Sequence, residues 1–432
     1  MVHGGRIPVE TARLENGLRV TMSPDRTVPV VAVNLWYHVG SANERAGRTG
    51  FAHLFEHMLF QGSANVGANE HFELVQRAGG TLNGSTWLDR TNYFETVPSH
   101  HLELALWLEA DRMARLLPAM TQEKLDTQRE VVKNERRWTV DNQPYGTWWE
   151  RLPAACFPED HPFHHSLIGS MEDLSAASLE DVAAFFRTYY TPDNAVLTIA
   201  GDFERDTALL LVERHFGAIP SGGPREPLRG MDVPARFGSW RRELVADNVA
   251  VPRVFLACRA PVFGGEGYHV SSLTAGILGT GRGCRLHQSL VRDRQLASVA
   301  TAFTFDFAKG SDLLIIDATA RPGVSADALE AAMADQLDQL RTQGPRQGER
   351  ERILALTETA FVTGMQTVAD RADQLSRFAT YLGDPALVNQ EVPRYRAVTD
   401  TQLRAFADSY LGDDNRVSLV FVPSDGAPVS VS

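Results

Sequence analysis

Cysteine is scarce in this chain of 432 residues: Cys156, Cys258 and Cys284 are the only three. An odd, widely spaced set excludes a disulfide framework and a cysteine-based metal knuckle, and reads as reduced thiols of a cytoplasmic protein. Long apolar runs are also missing. No stretch approaches the ~20 residues that span a bilayer, so no membrane partner is expected. The opening residues MVHGGRIPVETARLENG hold no apolar secretory core. Cytoplasm is therefore expected, or periplasm if a leader has been removed. Positive charge is in the minority, with 42 Lys and Arg against 54 Asp and Glu and a formal net charge of −12. That balance argues against nucleic acid or an anionic membrane surface, and suits a solubilising acidic coat.

What is present is a globular composition, 43% hydrophobic and 22% charged, on a chain too long for one core. An internal repeat supports two domains. Phe185, Tyr189, Asn194 and Val196 recur at a constant offset as Phe406, Tyr410, Asn415 and Val417, and Ser178 and Thr399 share that offset as helix caps. Each copy reads as a helix followed by a β-rich run. Between the copies, Ile219 to Pro227 is rich in Pro, Gly and Ser, followed by Gly230 and Pro234. The division expected is a first domain over 1–220, a linker over 221–235 and a homologous second domain over 236–432. Strands alternate with amphipathic helices in each half. Asn16-Gly17 marks a hairpin, and Val30 to Val39 a core strand.

The chemistry concentrates in one place. His53-Leu54-Phe55-Glu56-His57 lies in an apolar stretch without proline or internal glycine, which reads as one buried helix. At about 100° per residue the two imidazoles fall about 40° apart, with Glu56 on the same side. Two histidines and a glutamate are costly to bury without a shared ligand. Two neutral nitrogens with an adjacent base are what a catalytic zinc requires, and the H-x-x-E-H order is the inverzincin one. His53 and His57 are thus candidate metal ligands, and Glu56 the base for the attacking water. The second half lacks the pentad. A third ligand is needed. The helix expected over Thr121 to Val140 offers Glu123, Glu130 and Glu135, and periodicity does not choose among them.

The pentad, followed by a helix containing Val131-Val132-Lys133-Asn134-Glu135, resembles the insulinase/pitrilysin family of zinc peptidases, most of all the half-size branch that includes the mitochondrial processing peptidase. Gly40 to Glu44, Gly79 to Thr86, Thr91 to Phe94, Asp141 to Gly146 and His161-Pro162 through Gly169 continue the resemblance. It implies an α+β chain of two similar α/β-sandwich domains arising by internal duplication, with the processing-peptidase-like fold. It also places the third zinc ligand on Glu135. The family's second acidic residue is replaced by Gln128, leaving Glu130 as the other candidate for that support. Peptide substrate would add as a strand along Thr81 to Thr86, with Asn83 near the scissile bond and Gly84, Ser85 and Thr86 admitting the substrate backbone.

One departure from the family matters. Relatives that act alone carry an arginine and a tyrosine seven residues apart in the second half, which bind substrate and the developing oxyanion. Along the helix expected over Leu286 to Ala297 and the residue after it, those places fall on Val291 and Ser298, and no tyrosine stands between Tyr268 and Tyr381. The resemblance therefore implies a zinc-bearing subunit of a heterodimer, a homologous half-size chain supplying the arginine and tyrosine. The other readings are a non-catalytic scaffold or substrate-binding subunit, and a hydrolase of small molecules on the same fold. The remaining histidines, His100, His101, His161, His164 and His165, are expected in surface loops.

Overall fold

A computed structural model describes residues 6–424. Two compact units are present. Among the described residues, one comprises 6–136, His165–Leu228 and Phe361–Gln390, the other Arg137–His164, Arg229–Ala360 and 391–424. Each unit thus borrows a segment from the other half of the sequence. Residues 221–235 form neither helix nor strand.

The first unit is built on strands β1 (Glu10–Arg13), β2 (Arg19–Pro24), β3 (Val30–Tyr37), β4 (Thr81–Thr86), β5 (Thr91–Pro98) and β6 (Ala195–Gly201). Their order in the sheet is β1-β2-β6-β3-β5-β4. The second unit holds β7 (Arg241–Asp247), β8 (Arg253–Ala260), β9 (Ala297–Thr304), β10 (Asp312–Ala320) and β11 (Val417–Pro423), ordered β7-β11-β8-β10-β9. Apart from the extra β1, the two orders are the same. In each sheet one pair is parallel, β2 with β6 and β7 with β11, and the other pairs are antiparallel.

The repeat seen in the sequence has a physical basis. Ser178 and Thr399 each close a capping box at the start of a helix, Leu179–Tyr189 and Asp400–Tyr410. A single 3₁₀ turn follows, ending at Asn194 or Asn415. The Asn194 amide donates to Tyr189 O and the Asn415 amide to Tyr410 O, both at 2.8 Å. The asparagine thereby ties off the helix end and launches the next strand. The register agrees as well: Val196 faces Trp36, and Val417 faces Ala257 at the same sequence offset. Two similar α/β domains, related by duplication, are the result.

Alternation along β3 places its two faces in different layers. Asn34 and Trp36 donate to Asp373 on the helix Val368–Tyr381, at 3.3 and 3.1 Å. Ala32, Ala200, Val368 and Ala372 form a cluster of small residues there that lets helix and sheet approach closely. Tyr37, on the opposite face, packs against Tyr93 and Tyr190. The second unit repeats this with its borrowed segment. Trp148, on the helix Trp148–Cys156, stacks on Phe255 at 4.8 Å, while Val254, Leu256 and Cys258 join the main cluster with the helix Ala326–Gln343 on the other face.

The expected hairpin is formed by β1 and β2, with Gly17 at φ +92° and the buried Asn16 amide donating to Phe216 O and Ile219 O. The helix expected over Leu286 to Ala297 is shorter. Its last, π-helical stretch spans His287–Asp293; Gln295 then turns left-handed at φ +51° and β9 begins at Ala297. Ser298 is therefore a strand residue whose hydroxyl donates to Thr319 O.

Candidate metal centre

The helix Phe51–Met58 begins at Gly50, whose φ of +83° is a left-handed conformation open to glycine. Its apolar face is buried through Phe51, Leu54, Phe55 and Met58, which leaves His53, Glu56 and His57 on the side that meets the helix Gln122–Arg136. The rings of His53 and His57 have centroids 4.9 Å apart and planes at 80°. Glu135 closes the group: its two carboxylate oxygens lie 3.6 Å from His53 Nε2 and 3.3 Å from His57 Nε2.

Those separations exceed the usual 2.7–3.2 Å of an N–H···O bond. They match a shared ion better, because donors about 2.0–2.2 Å from a tetrahedral zinc lie about 3.4 Å apart. Burial, with His57 alongside, lowers His53 to about 4 against the opposing pull of Glu135. The imidazole is then neutral at neutral pH, as a ligand must be. A hydrogen-bond contact with His57 holds Glu135 below the ordinary glutamate value despite its partial burial. Nitrogen, nitrogen and ionised carboxylate form a donor set suited to zinc.

Glu56 stands beside this group and interacts electrostatically with His57 and Glu135. Thr86 Oγ1 donates to Glu56 Oε2 at 2.6 Å, and burial raises the Glu56 pKa more than that bond lowers it. A carboxylate poised above its ordinary range is a better base near neutrality. Thr86 belongs to β4, the last strand of its sheet, so the expected edge strand is found next to the glutamate. Along β4, Asn83 is exposed and its side-chain oxygen accepts from Gly84 N at 2.9 Å. Gly84 packs so closely that an added Cβ would lie 3.2 Å from Phe60 and Tyr93 and 3.3 Å from Glu56 Cγ. Ser85 donates instead to Asn92 Oδ1 at 2.7 Å. On the glutamate helix, Glu130 pairs with Lys133 at 3.0 Å and remains more than half exposed, while Gln128 is buried.

A second group of possible ligands, His71, Glu95 and Glu109, is buried in the same unit. Here the geometry excludes a shared ion between the closest pair. His71 Nε2 and Glu95 Oε1 are 2.6 Å apart, a direct hydrogen bond and too close for two ligands of one tetrahedral zinc.

Two residues outside the expected set also reach the centre's support. Glu44 accepts from the first turn of the helix Phe51–Met58, and His165 donates to Glu44. The surface-loop expectation therefore does not describe His165. Nor does it describe His161, which is buried and stacked on Phe157. A glutamate six residues before a capping glycine was the available signal for the first. His165 had none.

The second half retains the frame without the chemistry. The helix Tyr268–Gly279 also starts from a left-handed glycine, Gly267 at φ +86°. Counted from the capping glycines, Val270, Leu273 and Thr274 stand in the places of His53, Glu56 and His57. Among the described residues, no helix is long and apolar enough to cross a membrane.

Comparison with known proteins agrees with this asymmetry. Residues 19–167 match the insulinase family, peptidase family M16, and residues 176–356 match the peptidase M16 inactive domain. The zinc protease PqqE of Helicobacter pylori is 30% identical over 411 residues, covering 95% of this chain and 89% of that protein. An uncharacterized zinc protease of Mycobacterium tuberculosis is 29% identical over 396 residues, covering 91% and 89%. The crystal structure of a protease from Helicobacter pylori superposes with a TM-score of 0.90 at 28% identity, over 97% of this chain and 100% of that one. The periplasmic protease PqqL of Escherichia coli shares the fold at a TM-score of 0.76 and 20% identity, with 98% of this chain covering 48% of that one. Duplicated sheets, one metal-type half and one without it, and relatedness along nearly the full length place this chain in the insulinase (M16) family of zinc peptidases.

Proposed function

We propose that this chain is a zinc-dependent endopeptidase acting on short or unfolded peptides. The observation that carries this reading is the convergence of His53, His57 and Glu135 beside a base and an open sheet edge. His53, His57 and Glu135 would hold the metal, which when bound supplies Lewis acidity to polarise the scissile carbonyl and acidify water. Glu56 accepts a proton from the attacking water and returns it to the leaving amine. The backbone N–H and C=O groups of β4 pair with an extended peptide, Asn83 lying near the scissile bond and Gly84 to Thr86 admitting the chain without side-chain preference.

Oxyanion donors are the missing part. By the family resemblance, the places where lone-acting relatives hold arginine and tyrosine fall on Val291 and Ser298, and such donors are often worth about 3 kcal/mol or more of transition-state stabilisation. The proposed source is a second homologous half-size subunit, the two closing around the peptide in a chamber. The similar Escherichia coli chain, about twice as long as this one, is consistent with a second half of the same fold.

Purified chain loaded with zinc should hold one equivalent, and Glu56→Gln should keep that zinc and lose turnover. An active Glu56→Gln variant sinks the assigned role of Glu56, and a chain that takes up no zinc supports the scaffold reading instead. Rates should rise with peptide length, and full activity from the isolated chain would refute the heterodimer. The compartment proposed is the cytoplasm, with three buried free thiols, tested by cell fractionation.

A further inference from the structure

The metal helix is short and poorly equipped to hold itself. It has eight residues, and Gly50 at its start offers no side chain to cap the first N–H groups. Glu44 supplies the cap from outside. Its carboxylate accepts from Gly50 N at 2.9 Å and from Ala52 N at 2.7 Å, next to the ligand His53, and its side chain is fully buried. His165 Nε2 bridges Glu44 Oε2 at 3.1 Å and Ser41 O at 2.8 Å. Three donors thus converge on one carboxylate at the positive end of a helix.

Four residues beyond His165, the same segment touches both ligand-bearing helices. Gly169, at φ +80°, crosses the start of the metal helix backbone against backbone: a Cβ there would lie 2.4 Å from Gly50 Cα and from Thr49 O. Ser170 N donates to Thr49 Oγ1 at 3.1 Å, and Thr49 N donates to Asp173 at 2.9 Å. On its other side, Gly169 O accepts from Arg136 Nη1 at 2.8 Å. Arg136 is the neighbour of Glu135 at the end of the glutamate helix.

We propose that the segment His165–Gly169 is a clamp that sets the spacing between the helix bearing His53 and His57 and the helix bearing Glu135, with His165, Glu44 and Arg136 as positioning residues. The inference rests on the zinc reading above. Its physical content is that 3.3–3.6 Å between imidazole nitrogen and carboxylate oxygen is imposed before any ion arrives. A pre-set site binds without paying to order two helices, and partners one shell out typically control metal affinity by about tenfold to a hundredfold.

Two measurements test it. The first follows the rate at which excess chelator strips zinc from the loaded full chain. His165→Leu and Arg136→Met should each lose zinc about tenfold faster or more. His165→Gln keeps a donor near the imidazole Nε2 position and Arg136→Lys keeps one for Gly169 O, so both should restore most of the wild-type rate. The double variant should cost less than the two single effects multiplied, because both act on one spacing. The second follows amide hydrogen exchange at residues 50–54 in zinc-free chain, which should quicken in His165→Leu. Unchanged zinc release and unchanged exchange in folded His165→Leu and Arg136→Met overturn the clamp while leaving the peptidase reading intact. A wild-type chain that takes up no zinc overturns the peptidase reading, and faster exchange in His165→Leu would still support the clamp as a helix anchor.

Discussion

Replacing Glu95 with glutamine should remove one proton-linked loss of stability that this protein suffers as pH rises. Glu95 on β5 and Glu109 and Arg112 on the helix Leu102–Arg115 are all buried, as is His71 on the helix Glu70–Arg77. His71 is bonded to Glu95, and Glu109 pairs with Arg112, whose guanidinium lies over the Tyr93 ring at 4.1 Å. One oxygen of each glutamate, Oε2, has no donor. Burial pushes both carboxyls up to about 7, and burial lowers His71 to about 3, so the imidazole is neutral. One cation then faces two carboxyl groups, and a single proton held between them balances the charge and satisfies both orphan oxygens. A rise from the ordinary 4.5 to about 7 for that one proton is worth about 3–4 kcal/mol at roughly 1.4 kcal/mol per unit. The folded pKa is the raised one. This stabilisation is therefore complete below the unfolded value near 4.5, and it is lost as pH climbs through about 7. In Glu95→Gln the new side-chain amide would donate to Glu109 and accept from His71 with no proton to lose. Urea unfolding from pH 5 to 8.5 should show wild type losing about 2–3 kcal/mol relative to Glu95→Gln. Parallel curves for the two proteins would refute the shared proton.

Thr86→Val removes the hydroxyl that donates to Glu56, so the Glu56 pKa should rise and the acid limb of kcat/KM should move to higher pH; an unshifted limb argues against Glu56 as base. Gly84→Ala places a methyl 3.2 Å from Phe60 and Tyr93 and 3.3 Å from Glu56, and should lower kcat/KM with zinc content unchanged. Asn415→Leu leaves Arg259 O and Tyr410 O without their donor in a buried turn, and should cost about 2–4 kcal/mol in denaturant unfolding. Saturating zinc at about a hundred times its dissociation constant should raise stability by about 2.7 kcal/mol, and chelation should reverse that gain.

Local signals carried much of this organisation. The pentad is legible because an apolar run without breakers must bury as a helix, which brings His53, Glu56 and His57 to one side. The paired asparagines are legible because both copies need the same tie between helix end and strand. Glu135 is different: Glu123 and Glu130 fit the same helix equally well by periodicity, the family resemblance chose Glu135, and the fold brings its carboxylate to 3.6 and 3.3 Å from the two imidazoles. His165 was opaque for a related reason, since its partner Glu44 lies more than a hundred residues away and no periodicity links them. The shortened helix before β9 turns on Gln295, a residue type that seldom takes a positive φ and so gave no warning.

The exchange of segments between the two units constrains how the chain can be made. The sheet of the unit that holds His53, His57 and Glu135 gains its covering helix only when residues 368–381 have been synthesised, some three hundred positions after the pentad. The first sequence half cannot complete its core on emerging from the ribosome, and the second cannot complete its own without Trp148 from the first. A cut in the stretch 221–235 should consequently yield two fragments that remain associated and denature in one transition, and either fragment expressed alone should aggregate.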